Sequence, residues 1–245
     1  MPDISLVRRG SSVALALLLL FGAVAGCNTG VVERSAEKRL RDRLPQIIGP
    51  AASYRVDIRA GSDLSVVQGR LREVRIEGEQ VRVGGQWPVD QLLVLLERVR
   101  INLEQETLEE VGSARFQATI RPATLIDYLE EDQESLRDVR IHLERGRLVI
   151  TGRYLLVRVW TPFRVAGTLE LLGKEQLGFK PLRASAAGIP VPERVVRYLE
   201  EQLNPVLDVS RALLPMELTS VVIRPDGVIV TGIPHLDDPS LLIAE

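Results

Sequence analysis

The sequence predicts an α+β domain in which a long, strongly curved antiparallel sheet packs its apolar face against amphipathic helices. Three observations carry this. Five separate segments alternate polar and apolar residues with a period of two. Turn residues sit between several of them. Two stretches keep apolar residues at spacings of three and four. One buried and one wet face is the signature of antiparallel strands, because parallel strands are covered on both sides and read as continuous apolar runs.

The elements follow in order. Residues 31–48 place Val32, Ala36, Leu40, Leu44 and Ile47 on one helical face, with Pro45 expected to kink the helix or mark its last turn and Gly49-Pro50 closing it. The period then changes to two. Residues 54–58, 72–77, 99–104, 115–121 and 139–144 each read as a half-buried strand. Glu144-Arg145-Gly146-Arg147 predicts a hairpin, and so does Pro225-Asp226-Gly227 between two Val/Ile-rich strands. Residues 148–160 and 163–172 read as two long strands meeting at Thr161-Pro162, with Gly152 and Gly167 as sites for bulges or bends. A short helix is predicted over 122–131. A second helix, over 192–207, carries Val195, Val196, Leu199, Leu203 and Val206 as an apolar stripe. The strings Val-Arg-Ile-Asn-Leu-Glu at 99 and Val-Arg-Ile-His-Leu-Glu at 139 are two strands of similar exposure, not a repeat.

The N-terminus predicts the compartment. Arg8 and Arg9 precede an apolar run that ends in Val24-Ala25-Gly26-Cys27, and Cys27 is the single cysteine. Positive residues, a short apolar run and small residues before a cut site make an export signal. With cysteine at the cut, the pattern resembles a bacterial lipobox. A helix over 13–27 spans roughly 22 Å, short of the ~30 Å of a bilayer core. The expected organisation is a signal peptide over 1–26, a lipidated N-terminus and tether over 27–30, one domain over 31–233 and a tail over 234–245. The protein is expected outside the cytoplasm, held at the bacterial envelope by an acyl anchor on Cys27. An uncleaved N-terminal span is the other reading, and it places the domain on the same side.

Composition narrows the function. The net charge is −2 and charges of both signs are interspersed, which argues against nucleic acid as a partner. With Cys27 committed to the anchor, neither a disulfide nor a thiolate metal site is expected. No nucleophile elbow, zinc-protease helix, P-loop or dinucleotide fingerprint is present. His142 falls on the polar face of its strand. His235 stands near Asp237 and Asp238, a weak cation cluster or a solvated tail. Runs such as Glu109-Glu110, Glu130-Glu131-Asp132 and Glu200-Glu201 read as solvated helix faces and caps, since adjacent helical residues do not face one another. No catalytic residue, metal or cofactor is expected. Trp87 and Trp160 are candidates for ligand or membrane-interface contact. Trp160, with Thr161-Pro162-Phe163, is expected at a hairpin tip, as an interfacial aromatic pair or as a packed hairpin end.

Several features taken together resemble one family. They are the N-terminal helix, the strand pair "VRIHLERGRLVIT", the helix ending in Leu203-Asn204-Pro205-Val206-Leu207-Asp208, the Leu213-Leu214-Pro215 step and the strands around residues 221–223 and 228–232. Over residues 31–233 the chain resembles the LmeA family of phospholipid-binding proteins. The resemblance implies a tubular lipid-binding, BPI-like half domain in which a curved sheet wraps a long helix and leaves an apolar groove. It also implies phospholipid binding without catalysis. The groove lining expected on this basis is Phe116, Ile120, Val139, Ile141, Leu143, Leu148 and Ile150, facing Val195, Leu199 and Leu203. The alternative is a structural envelope lipoprotein with a filled core that docks a partner protein.

Overall fold

A computed structural model describes residues 29–61, 65, 68–102, 107–132, 135–156, 158–211 and 215–236. The lipobox, Cys27, Asp237 and Asp238 lie outside the described residues.

Helix α1 (Thr29–Ile47) buries Leu40 and Leu44 against β1 (Ser53–Arg59). Pro45 falls in its last turn, so the i→i−4 hydrogen bond it removes lies at the helix end. Three long strands follow: β2 (Arg70–Val83), β3 (Trp87–Asn102) and β4 (Thr107–Ile120). Helix α2 (Pro122–Asp132) then leads to β5 (Leu136–Glu144), β6 (Arg147–Leu156), β7 (Val159–Leu171), β8 (Gln176–Ala186) and the short β9 (Ile189–Pro190). Helix α3 (Glu193–Leu203), β10 (Leu207–Asp208), a 3-10 turn (Val209–Arg211), β11 (Met216–Arg224) and β12 (Gly227–Pro234) complete the chain.

The strands form two antiparallel sheets, in the orders β1-β2-β3-β4-β12-β11 and β10-β8-β7-β6-β5, with β9 on β8. Neither closes on itself. The chain lays down four strands of the first sheet, builds all of the second, then returns to pair β12 with β4. One apolar core joins them: Val74, Val99, Phe116 and Val230 from the first sheet pack in the same cluster as Leu148, Leu177 and Phe179 from the second. The helices sit on different strands, α1 on β1, α2 on β5 and β3, and α3 on β8.

The predicted hairpins at residues 144–147 and 224–227 are present. Two boundaries differ from expectation. The β6–β7 turn includes Arg158, between the paired Leu156 and Val159, and does not fall at Thr161-Pro162. Leu155 pairs with Trp160 and Tyr154 with Thr161, so the β-branched and aromatic residues 159–161 stay in strand, where they are favoured. Pro162 falls one residue before the pairing with β8 begins at Phe163 and Ala186, an end position that tolerates proline. Helix α3 ends at Leu203, earlier than residue 207. A residue before proline is pushed out of the helical region, and Asn204 is extended. Its side chain turns instead to β8: Phe179 N–H donates to Asn204 Oδ1 (2.7 Å) and Asn204 Nδ2 donates to the Phe179 carbonyl (2.9 Å).

Of the two glycines expected at bends, Gly167 flanks a register shift against β8. Gly152 does not. It stands opposite Phe163, whose ring occupies the space a side chain would need, and Phe116 covers Gly232 in the same way. An aromatic ring laid across a strand glycine restores the packing the glycine lacks.

Candidate functional site: an apolar cavity

Side-chain alternation turns one face of each sheet toward a shared space of about 250 Å³. From the first sheet, Leu92, Ala118 and Val230 form one rung across β3, β4 and β12, and Val94 and Phe116 extend the next. From the second sheet come Ile141 and Ile150, which stand opposite each other, then Leu148, Leu169, Leu177 and Phe179. Helix α2 supplies Thr124, Leu125, Tyr128 and Leu129, and the β2–β3 corner supplies Val83, Gly84, Trp87 and Pro88. Val206, Leu207, Met216 and Pro234 contribute from the C-terminal third of the chain.

Among the described residues the lining has no carboxylate, ammonium, guanidinium, imidazole or thiol. Among the described residues, Thr124, Tyr128 and the Trp87 indole carry its polar N–H and O–H groups. A surface of this kind is suited to hydrocarbon. An apolar cavity of ~150 Å³ already stays dry and binds benzene, and this space is larger.

The α2 wall is tied down at both ends. At its start, the buried Asp90 accepts from the Arg121 backbone N–H (2.6 Å) and from Arg121 Nε (2.8 Å). Burial pushes the Asp90 carboxyl up. Hydrogen bonds from the Arg121 N–H, the Thr124 hydroxyl and the Arg121 guanidinium, together with the guanidinium charge, outweigh it and hold the carboxyl below the usual range. Further along, the Tyr128 ring packs on Trp87 at 5.8 Å between centroids, and Glu130 accepts from the Val139 N–H (2.9 Å). Beside the cavity, sharing Pro88, Val89, Thr124 and Tyr128 with it, is a polar recess of about 200 Å³ that includes Gln80, Arg82, Asp90, Asp127 and Glu131.

Of the residues expected to line a groove, Phe116, Ile120, Ile141, Leu148 and Ile150 line this cavity. Val139 and Leu143 are buried and lie outside the lining. Val195 is half-buried on α3, which packs on β8 away from the lining. Leu199 and Leu203 fall on α3 with side chains outside the described residues. The helical wall is α2, whose Leu125, Tyr128 and Leu129 repeat at three and four. That signal is visible in the sequence but shorter than the stripe on α3. Trp87 does reach the cavity. Trp160 faces away from it, with the Arg137 guanidinium 3.8 Å over its ring. His142 is exposed, and His235 is held by its N–H to the Pro215 carbonyl (2.8 Å).

Two antiparallel sheets with a hydrocarbon-lined space between them, covered by a short helix, define a protein built to hold an apolar ligand. The chain belongs to the LmeA-like phospholipid-binding family, whose model matches residues 29–233. Comparison with curated proteins and with solved structures finds no match.

Proposed function

We propose that this protein binds phospholipid with its acyl chains in the cavity between the sheets and serves lipid transport or envelope maintenance without catalysing a reaction. The observation that carries this is the cavity itself, about 250 Å³ of apolar space between two otherwise well-packed sheets. Family membership supports it. The reading of a filled core that docks a partner protein requires that space to be occupied by side chains.

The proposal includes a tether. Lipidation of Cys27 would place the domain at the outer face of a bacterial membrane, close to its ligand. A single acyl chain holds a protein only marginally, so more than one chain is expected on the N-terminus. The strongly curved, helix-wrapping arrangement of tubular lipid-binding domains is proposed on the same ground of family membership.

Trp87 provides the test, because it lines the cavity. In a Trp160→Phe variant it is the remaining tryptophan. Phospholipid with brominated acyl chains should quench its fluorescence saturably. Unquenched Trp87 in folded protein, at lipid concentrations where the lipid is accessible, would overturn the proposal.

A further inference from the structure

The cavity face of the second sheet continues past the cavity. Ile150 lines the space and stands opposite Val165. The next pairs are Gly152 with Phe163, Tyr154 with Thr161, and Leu156 with Val159 at the hairpin end. Pairing along β6 and β7 shows no register shift, so Gly152, Tyr154, Phe163, Thr161 and Val159 keep the face of Ile150. Ala186 extends the Phe163 rung, and Ile189 extends it again. Exposure rises outward: Tyr154 is 44%, Val159 64% and Ile189 70% exposed. A lone exposed apolar side chain needs no account, but three on one face, continuous with a cavity wall, form a patch.

This end adjoins the helix that covers the cavity. Leu136, four residues after the last residue of α2, pairs with Tyr154, and the Leu155 N–H donates to the Ser135 carbonyl (2.9 Å). The apolar rungs therefore run out beside the C-terminal end of α2.

Charge singles out the same region. Across a chain of net charge −2, residues 145–169 hold five arginines and no acidic residue, and residues 176–192 add Lys180 and Arg183 with none. Arg158 sits in the β6–β7 turn, with Arg164 and Arg183 on the outer face of β7 and β8. All three are exposed, and none makes an ion pair among the described residues. Trp160 is on that outer face too. Apolar and aromatic side chains flanked by unpaired arginines are the composition of a surface that sits in a headgroup layer.

We propose that the β6–β7 and β8–β9 end of the second sheet is a membrane-contact edge, seated in an anionic phospholipid bilayer, along which lipid passes between bilayer and cavity. This rests on the phospholipid reading above, and the test keeps the two apart. Intact protein is placed on vesicles of phosphatidylcholine with or without phosphatidylglycerol. Hydrogen exchange is followed at residues 154–163, and loading of the cavity is measured from vesicles and from detergent micelles. Protection at 154–163 is expected on the anionic vesicles and is expected to weaken with added salt. A Val159→Glu, Ile189→Glu double variant should load from vesicles roughly tenfold more slowly, yet load from micelles as the unaltered protein does. Equal exchange on both vesicle types, vesicle loading unaffected by the double variant, or protection that appears only when another protein is added would overturn the edge. Loading from neither source by the unaltered protein, with protection on anionic vesicles intact, would sink the phospholipid reading and the passage of lipid along the edge, and leave the membrane contact itself standing.

Discussion

Asp90 holds Arg121 through both carboxylate oxygens, Oδ2 to the backbone N–H and Oδ1 to Nε, and so fixes the point where β4 gives way to the helix over the cavity. Asp90 is the one charged residue buried among the described residues. Replacement by alanine strands the Arg121 N–H beside a buried site. Asp90→Ala should cost about 1–3 kcal/mol, read by denaturant unfolding.

The same contact sets a response to acid. The Asp90 carboxyl is held below the usual carboxylate range in the folded protein. Its contribution is therefore fully present above the unfolded value near ~4 and is lost as pH falls through the lower folded value. The unaltered protein should lose more stability between neutral pH and that window than Asp90→Asn does. Parallel acid profiles for the two proteins would contradict this.

Ala118 lines the cavity between Leu92 and Val230. In a filled core, Ala118→Trp would overpack and cost about 1–3 kcal/mol. With space to enter, the ring should leave the ligand-free protein as stable or more so, and should lower bound lipid. Melting temperature and lipid content of one preparation decide between the two.

Tyr128 joins the covering helix to the β2–β3 corner through Trp87. Loss of the pair in Tyr128→Ala should cost about 0.5–1.5 kcal/mol. Lipid release should also quicken, read as the decay of Trp87 quenching after dilution into lipid-free vesicles.

Asn204 occupies the place of a strand residue beside Phe179, donating and accepting one hydrogen bond. Asn204→Ala removes both, at roughly 1 kcal/mol each. Because Phe179 lines the cavity, the variant should also bind lipid more weakly. Urea unfolding and lipid content together check this.

Period-two alternation made the strands legible and, with them, half of the cavity. Phe116, Ile120, Ile141, Leu148 and Ile150 could be assigned to an inner face because a sheet has only two faces to choose from. The helical wall could not be assigned in this way. An apolar stripe on a helix says that the helix packs, but not on what, and the longer stripe at 195–206 drew attention from the short one at 125–129. The division into two sheets, and the return of β12 to β4, are long-range pairings with no local signal. The β6–β7 turn was misplaced because Thr-Pro is strong turn chemistry, whereas the turn used falls where Arg158 takes a positive φ, which nothing in its neighbours announces. Asp90 has no local signal for the same reason. Its partner is 31 residues away.

Native mass spectrometry of the purified protein, with lipid extraction from the same sample, tests the central claim most directly. Phospholipid at near-integer stoichiometry, displaced in the Ala118→Trp variant, is the predicted result. A folded protein that arrives empty and takes up no added phospholipid would contradict it.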